Sequence, residues 1–290
     1  MFEKLRDLAF EKHTYKHTTI GFVQDIKAMP NYYDYSRKFF QRFYRPENAT
    51  LLVVGDVKPQ TVFDLAKKYF GDWQKGYQAP DVPVEPPQKE QKKAHLDWPN
   101  PTSPYLMLGY HIPAGSTAST DSVALDLIAQ LLYSESAPLY QELVVKNQWV
   151  DFIRGGPNLN RDPSLFIVIT RVKSDDLVPK VKETIGRYVQ QLQAAPVDAK
   201  RLERIKEHLR YSFALGLDTP GDVAEQAAET ISAAGDIDAI NQRFAQYQKV
   251  TPADIQKAAR DIFQNQNETI VTLSHKADAA KGTAGGASHD

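Results

Sequence analysis

The chain has 290 residues, 42% of them apolar and 10% aromatic, which is enough for about two folded domains. Its 35 basic and 36 acidic side chains leave a formal net charge of −1, which argues against a nucleic-acid-binding protein. The lack of cysteine excludes disulfides and thiolate metal sites, and no apolar run reaches the roughly 20 residues that a membrane span needs.

The first 75 residues predict helices and one strand. Residues 5–10 are typical of the end of a helix. Aromatic side chains at three- and four-residue spacing then predict an amphipathic, core-packed helix that ends before Pro46. The run ATLLVVGDV (49–57) is apolar and rich in β-branched residues, so it predicts a buried strand, and a second amphipathic helix follows over 58–73.

A change of composition predicts a domain boundary. Residues 76–93 are rich in proline and charge, which is typical of an extended, semi-rigid linker. A second domain is expected over 94–276, followed by a small, polar, disordered tail over 277–290. Its strands are predicted at 93–99, 103–112, 149–156, 164–172 and 268–273, and its helices at 121–133, 137–148, 176–193, 198–216, 221–234 and 251–263.

One phrase occurs twice, as FYRPENATLLVVGDV (43–57) and IFQNQNETIVTLSHK (262–276). Thr50 aligns with Thr269, an offset of 269 − 50 = 219 residues. The repeat is either a common helix–strand unit seen twice or the mark of two homologous domains. Under the second interpretation the first domain begins near 94 − 219 = −125, so residues 1–75 are only its final third.

Several stretches together resemble the pitrilysin/insulinase-type zinc metallopeptidases. The resemblance is carried by AFEKHTYKHTTIGFVQDIKAM (9–29), FFQRFYRPENATLLVVGDVKPQTVFDLAKKYFGDW (39–73), SPYLMLGYHIPA (103–114), APLYQELV (137–144) and VTPADIQKAARDIF (250–263). It implies an α+β fold of two-layer, helix-on-sheet domains, the first of them truncated here. It also implies a two-domain half of a clam-like chamber that encloses a peptide substrate.

In that family the first domain binds zinc through an inverted H-x-x-E-H helix and a later Glu, and this chain contains no H-x-x-E-H. Residues 130–134 stand where the second domain has its counterpart of the zinc helix, and none of them is a plausible ligand. We therefore expect no catalytic residue, metal ligand or cofactor in this chain, and zinc in a full-length parent or an active partner.

The family's second domain also supplies an Arg and a Tyr that hold the peptide. An ungapped alignment places these positions on Val144 and Asp151, which cannot donate in the same way. The resemblance makes Lys146, Asn147, Asp151 and Phe152 the expected substrate contacts.

Two functions follow from the resemblance. The first is the C-terminal portion of a zinc metalloendopeptidase that forms chamber wall and substrate contacts and is inactive as an isolated chain. The second is a non-catalytic subunit that binds peptide or completes the chamber of an active family member, through a homologous subunit or self-association. The resemblance suggests the bacterial periplasm as the compartment.

Two histidines admit a metal interpretation and a structural one. His13 and His17 are four residues apart, a spacing that would place both imidazoles on one face of a helix. The threonine-rich stretch around them favours a loop or strand, where this spacing has no such meaning. We expect His208 to be a partly buried surface histidine rather than a catalytic one.

Overall fold

The computed structural model describes residues 1–115, 119–158 and 160–276, and its dominant feature is a five-stranded mixed sheet. The strands are β1 (Lys92–Trp98), β2 (Tyr105–Ile112), β3 (Val150–Pro157), β4 (Ser164–Val172) and β5 (Glu268–His275). Their order is β1-β5-β2-β4-β3. β5 pairs parallel to β1 and the other pairs are antiparallel, so the last strand of the described residues lies inside the sheet.

The described residues also form helices, some of which cover one face of this sheet. The helices are α1 (Phe2–Ala9), α2 (Val23–Ala28), α3 (Tyr33–Phe43), α4 (Pro59–Phe70), α5 (Thr120–Tyr133), α6 (Pro138–Tyr140), α7 (Val178–Ala194), α8 (Ala199–Leu215), α9 (Pro220–Ala234), α10 (Ala239–Lys249) and α11 (Pro252–Ile262). The main core forms where α5, α7 and α11 pack on the sheet, around fully buried side chains such as Leu127, Phe166 and Ile255. The α+β, helix-on-sheet architecture predicted from the sequence is confirmed.

The opposite face of the sheet is covered by α1, from the N-terminal end of the chain. Leu5, Ala9 and Phe10 are buried there against side chains that include Met107 and Val271. Because alternate residues of a strand point to opposite faces, this second cluster uses the side chains that β2 and β5 do not give to the main core. α1 precedes the Pro-rich stretch in the sequence, yet it covers a face of the sheet that residues after that stretch form.

The predicted strand at 49–57 is wrong as a buried, paired element. Residues 49–54 pair with no strand of the described chain, and Leu51 and Val53 are 58% and 45% exposed. The physical reason is visible in β5, whose two neighbours β1 and β2 come from residues 92–112, far ahead of it in the chain. The described chain offers residues 49–54 no such neighbours.

The expectation of core packing for the aromatic helix is wrong as well. α3 forms as predicted, but Tyr33 is 70% exposed and Phe40 55% exposed. Its rings stack on one another, as with Phe40 and Tyr44 at 4.5 Å between ring centroids. Helix periodicity identified the apolar face correctly. In the described chain the Tyr77 ring contacts Phe43, at 6.3 Å between ring centroids, and leaves Tyr33 and Phe40 exposed.

The Pro-rich stretch is extended and is held at both ends. Gly76 donates its main-chain N–H to the carboxylate of Glu47 at 2.9 Å. Glu47 belongs to the first predicted domain (residues 1–75), called the first unit below, and residues 94–276 are called the second unit. At the other end Glu85 accepts from three main-chain N–H groups just after α1, and Gln88 donates to main-chain oxygens at Gln266 and Glu268. The domain limits proposed from the sequence stay a prediction, and 277–290 lies outside the described residues.

One further difference concerns the second unit. α10 has no counterpart in the sequence interpretation, which predicts no helix between 234 and 251. Lys206 of α8 is buried, at 3% exposure, and donates to Glu203 at 2.8 Å. No helix of the described residues is long and apolar enough to cross a bilayer.

Candidate functional site

The segment that carries the predicted substrate contacts is shaped by an irregular helix. After α6, residues Gln141–Lys146 form a π-helical turn, and Gln148 then takes a positive φ of 51° before β3 begins. Glu142 anchors the turn to α7, because it accepts from Arg187 Nη2 at 2.6 Å and from Tyr188 Oη at 2.8 Å. π-helical turns of this kind occur frequently at functional sites.

Asp151 is held in place by two cations of β4 and its continuation. Arg171 Nε donates to one carboxylate oxygen at 2.5 Å, and Lys173 pairs with the other. Hydrogen bonds from Lys173 and Arg171 lower the pKa of Asp151, so it is an ionised acceptor at neutral pH. Its charge is neutralised within the chain.

Phe152 is half-buried beside Asp151 and is surrounded by an aromatic ring and two cations. The Tyr105 ring lies 6.4 Å away, and the guanidinium carbons of Arg154 and Arg171 lie 5.6 and 6.0 Å from the Phe152 ring centre. We call this surface the β3 edge patch. It comprises Tyr105, Asp151, Phe152, Arg154, Arg171 and Lys173.

The patch lies on an outer strand of the sheet. β3 pairs only with β4 within the described residues, so its other edge presents main-chain N–H and C=O groups without a ladder partner. An extended peptide can hydrogen-bond to such an edge, while the Phe152 ring and the guanidinium of Arg154 meet its side chains or a carboxylate. This is the chemistry that the patch offers.

The four predicted contact residues fall in two places. Asp151 and Phe152 belong to the β3 edge patch. Lys146 is exposed at the end of the π-helical turn and lies close enough to Glu142 to contribute to the lowering of its pKa, behind the hydrogen bonds from Arg187 and Tyr188. Asn147 is half-buried and donates its main-chain N–H to Glu142 O at 3.0 Å.

Sequence reasoning missed four members of the patch, which are Tyr105, Arg154, Arg171 and Lys173. The available signal was the alternation of side chains along a strand. In FIR (152–154) the cation Arg154 lies two residues after Phe152 and therefore on the same face of the strand, and TRV (170–172) places the cation Arg171 in the other strand. What the sequence does not contain is the β3–β4 register, which sets Phe152 opposite Arg171.

Val144 and Asp151 take structural roles at the two aligned family positions. Val144 is half-buried against the main core, and Asp151 is engaged by its two cations. Neither can donate a hydrogen bond to a peptide carbonyl.

The counterpart of the zinc helix does not fit a metal. Leu131, Leu132 and Tyr133 at the end of α5 are buried in the main core, and Ser134 Oγ donates to Gln130 O at 2.6 Å. Arg201 Nη2 donates to the Leu131 carbonyl at 2.8 Å, so a cation stands beside this turn. These apolar and hydroxyl groups with an adjacent guanidinium are not a zinc ligand set.

His13 and His17 make separate contacts and do not form a common site. His13 is buried, and its Nδ1 accepts from the Tyr15 main-chain N–H at 3.0 Å, while His17 Nδ1 lies 3.1 Å from Thr18 O. They flank a short 3-10 turn rather than sharing a helix face. Within residues 1–115, 119–158 and 160–276, no cluster of three His, Asp or Glu is arranged to hold a metal ion. His208 is exposed, not partly buried, 3.4 Å from Ser212 Oγ.

A cleft of about 690 Å³ between α7 and the sheet contains a buried carboxylate. Glu268 accepts from Tyr110 Oη at 2.7 Å and pairs with Lys182 Nζ at 3.2 Å. Gln91 also donates to it. With all three donors in place, Glu268 is satisfied from within the chain and joins β5 to α7 and to the Pro-rich stretch.

Comparison with known proteins relates this geometry to one family. Residues 33–209 match the family described as "Peptidase M16 inactive domain". The zinc protease PqqE of Helicobacter pylori is 27% identical over 285 residues, which cover 94% of this chain and 61% of that protein.

Solved structures agree with that match. A protease from Helicobacter pylori superposes with a TM-score of 0.84 at 27% identity, over 94% of this chain and 65% of that one. The periplasmic protease PqqL from Escherichia coli shares the fold, with a TM-score of 0.65 at 12% identity over 94% of this chain and 30% of that one.

The chain spans about three fifths of the length of the curated relative, and the match covers 33–209, which is more than half of the 290 residues. The family resemblance predicted from the sequence is confirmed. The chain belongs to the family of the peptidase M16 inactive domain.

Proposed function

We propose that this chain is the C-terminal portion of a zinc-metalloendopeptidase-like protein, in which its second unit forms a wall of a peptide chamber. The observation that carries the proposal is the match of residues 33–209 to an inactive peptidase domain, within a chain that spans 61% of a relative named as a zinc protease. The metal and the water that it activates then belong to a part of the longer protein that precedes these residues. This chain's own residues bind and orient the peptide.

The β3 edge patch is the proposed contact surface. An extended peptide adds as a further strand along β3, where main-chain hydrogen bonds give affinity without strong sequence preference. Phe152 contributes apolar area, and Arg154 meets a peptide carboxylate or carbonyl. Lys146 and Asn147 lie in the turn that precedes β3 and contact the end of the same peptide.

The proposal is tested with the full gene product that contains this chain, using a fluorescent, unfolded peptide and a chelator to prevent hydrolysis. We expect Phe152→Ala to weaken binding about tenfold, which corresponds to about 1.4 kcal/mol. Tyr211→Ala is the matched control, because Tyr211 is an aromatic residue that is 69% exposed on α8, away from the patch. Equal affinities for the two variants would contradict the proposed surface.

A second candidate function is a non-catalytic partner subunit, and it is favoured by Val144 and Asp151. These residues face the core and two internal cations, where the aligned family positions hold groups that grip a peptide. In this case an active homologue supplies the metal, and this protein completes its chamber. Zinc analysis of the purified full gene product separates the two: about one equivalent of zinc supports the peptidase, and none supports the partner.

We also propose the periplasm as the compartment. The support is the fold shared with a periplasmic protease of Escherichia coli and the similarity to a bacterial zinc protease. Osmotic-shock fractionation of the source bacterium, followed by immunoblotting, tests it. Recovery with cytoplasmic markers would contradict the proposal.

A further inference from the structure

The β3 edge patch contains a single carboxylate, and the contacts of that carboxylate bear on the charge of a bound peptide. Asp151 is one of the four predicted contact residues. An acidic side chain at a contact position would by itself favour a basic peptide, because opposite charges attract across an interface. The surroundings of Asp151 reverse this expectation.

Asp151 is paired with more positive charge than it neutralises. Arg171 Nε donates to one of its carboxylate oxygens at 2.5 Å, and Lys173 pairs with the other oxygen. The side chain of Asp151 is 20% exposed, whereas those of Arg171 and Lys173 are 43% and 50% exposed. The group therefore presents mainly its two cations to an incoming ligand, with a net charge of +1.

Arg154 adds a cation that no carboxylate neutralises. It is exposed, and its guanidinium carbon lies 5.6 Å from the ring centre of Phe152, two residues earlier on the same face of β3. Arg154 makes no hydrogen bond or ion pair within the part of the chain that the structure describes. The patch thus carries three cations against one carboxylate, a net charge of +2 in a chain whose formal net charge is −1.

The charges around the start of β3 leave this excess in place. Lys146 is exposed on the π-helical turn, and Lys180 Nζ lies 4.1 Å from the ring centre of Trp149, which directly precedes β3. Lys173 donates its main-chain N–H to Trp149 O at 2.9 Å, so Lys173 and Lys180 lie beside the same residue. The exposed aspartates at 175–176 balance the charges of Lys146 and Lys180. The excess positive charge of the patch itself is not offset.

We infer that the peptide which adds along β3 is acidic, with Glu or Asp side chains that meet the guanidinium groups of Arg154 and Arg171. The inference rests on the proposed function, because it names the class of peptide that the β3 edge patch binds. Side chains of an added strand alternate as those of β3 do, so acidic residues at every second peptide position lie over this face. Guanidinium groups match carboxylates in geometry as well as in charge. Phe152 supplies apolar area beside the contact, since both guanidinium carbons lie within 6.0 Å of its ring centre.

Three unfolded fluorescent peptides of equal length test the inference. They are identical except that alternate positions carry Glu, Gln or Lys. Binding to the full gene product is measured by fluorescence anisotropy, with a chelator present to prevent hydrolysis. At about 25 mM salt we expect the Glu peptide to bind about tenfold more tightly than the Gln peptide, and the Lys peptide to bind most weakly. At about 300 mM salt the difference should fall to about twofold, because salt screens exposed charges.

Two substitutions separate the patch from the overall charge of the protein. Arg154→Gln should reduce the preference for Glu over Gln peptide by about threefold or more, with the affinity for the Gln peptide unchanged. The matched control is Arg210→Gln, which removes the same charge from an exposed position on α8 and should leave the preference intact. Asp151→Asn should strengthen the preference, because it removes the carboxylate that offsets Arg171 and Lys173.

The outcomes distinguish this inference from the proposed function. Equal affinities for the three peptides, all weakened by Phe152→Ala, would overturn the acidic class and leave the proposed surface standing. Equal loss of preference in Arg154→Gln and Arg210→Gln would remove the patch as its source. Tighter binding of the Lys peptide, lost in Asp151→Asn, would mean that Asp151 selects a basic peptide instead. If none of the three peptides binds, the proposed surface fails together with the inference.

Discussion

At the scale of single residues, Glu85 has the most informative surroundings. Its two carboxylate oxygens accept from the main-chain N–H groups of Glu11, Lys12 and His13, each at 2.8 Å. Three consecutive amides form a small positively polarised concavity, and the carboxylate fills it. Burial opposes the charge, but these hydrogen bonds outweigh it and lower the pKa of Glu85.

Glu85→Gln is therefore expected to reduce stability in a pH-dependent way. A lowered native pKa stabilises the fold fully above the ordinary value of about 4.3, and that contribution is lost as pH falls through the native pKa. At pH 7 we expect a loss of about 2 kcal/mol, because hydrogen bonds to a charged group are replaced and an amide N–H₂ faces three donors. Urea unfolding at pH 7 and at pH 3 measures the difference.

The control for this change is Glu90→Gln, an exposed carboxylate in the same stretch. It should leave the unfolding free energy within about 0.5 kcal/mol of the parent value. A Glu85→Gln loss that persists unchanged at pH 3 would contradict the assigned role of the charge.

Gly155 illustrates a second constraint on a single position. A Cβ there would lie 2.6 Å from Cδ2 and Cε2 of the buried Tyr133 ring. At the adjacent Gly156 the nearest atom is Ala129 Cβ at 3.7 Å, which is ordinary contact.

We expect Gly155→Ala to destabilise the fold by about 2 kcal/mol through overpacking, and Gly156→Ala to change it by less than about 0.5 kcal/mol. Thermal unfolding followed by circular dichroism compares the two. If both variants melt together, Tyr133 moves aside and the packing argument fails.

At the scale of elements, sequence periodicity predicted most helices and strands and failed where partners decide the outcome. α3, α5, α11 and the five strands of the sheet lie close to their predicted positions, because side-chain spacing alone determines which face is apolar. Residues 49–54 and the exposed rings of α3 contradict the sequence interpretation for a different reason. Burial depends on what lies opposite, and no local pattern carries that information.

Only part of the candidate site could be predicted from the sequence, and its role as a substrate contact stays a prediction. The chain position of Asp151 and Phe152 followed from family resemblance, whereas Arg171 and Tyr105 enter only through the sheet register. The π-helical turn before β3 could not be predicted, since its geometry arises from the anchoring of Glu142 by α7.

The caps of α9 and α11 allow a prediction about elements. Thr219 and Thr251 each begin a capping box, with Asp222 and Asp254 as the reciprocal acceptors. Ile255 and Ala259 of α11 are buried in the main core, whereas α9 buries only Ala227 and Thr230.

Thr251→Ala should therefore lower the global unfolding free energy by about 1 kcal/mol. Thr219→Ala should accelerate hydrogen exchange of the α9 amides and leave the global midpoint almost unchanged, because a loosely packed helix opens locally. Hydrogen-exchange mass spectrometry and urea titration on both variants measure this. Equal shifts in midpoint would mean that α9 is part of the cooperative core.

At the scale of the whole molecule, α1, near the start of the chain, packs on β5, near the end of the described residues. Leu5→Ala leaves a cavity under the sheet and should reduce the unfolding free energy of the second unit by about 3 kcal/mol. Phe2→Ala, on the same helix at 49% exposure, is the control and should have a small effect. Urea unfolding that shows no difference between the two would remove α1 from the fold of the second unit.

The inner position of β5 determines when the sheet can form during synthesis and folding. β2 ends at residue 112 and its neighbour β5 begins at 268, so 268 − 112 = 156 residues must be synthesised before the sheet can close. At bacterial or slower elongation rates this takes on the order of 10–30 s. Until β5 is available, β1 and one edge of β2 have no partner strand, and such unpaired edges are prone to aggregation.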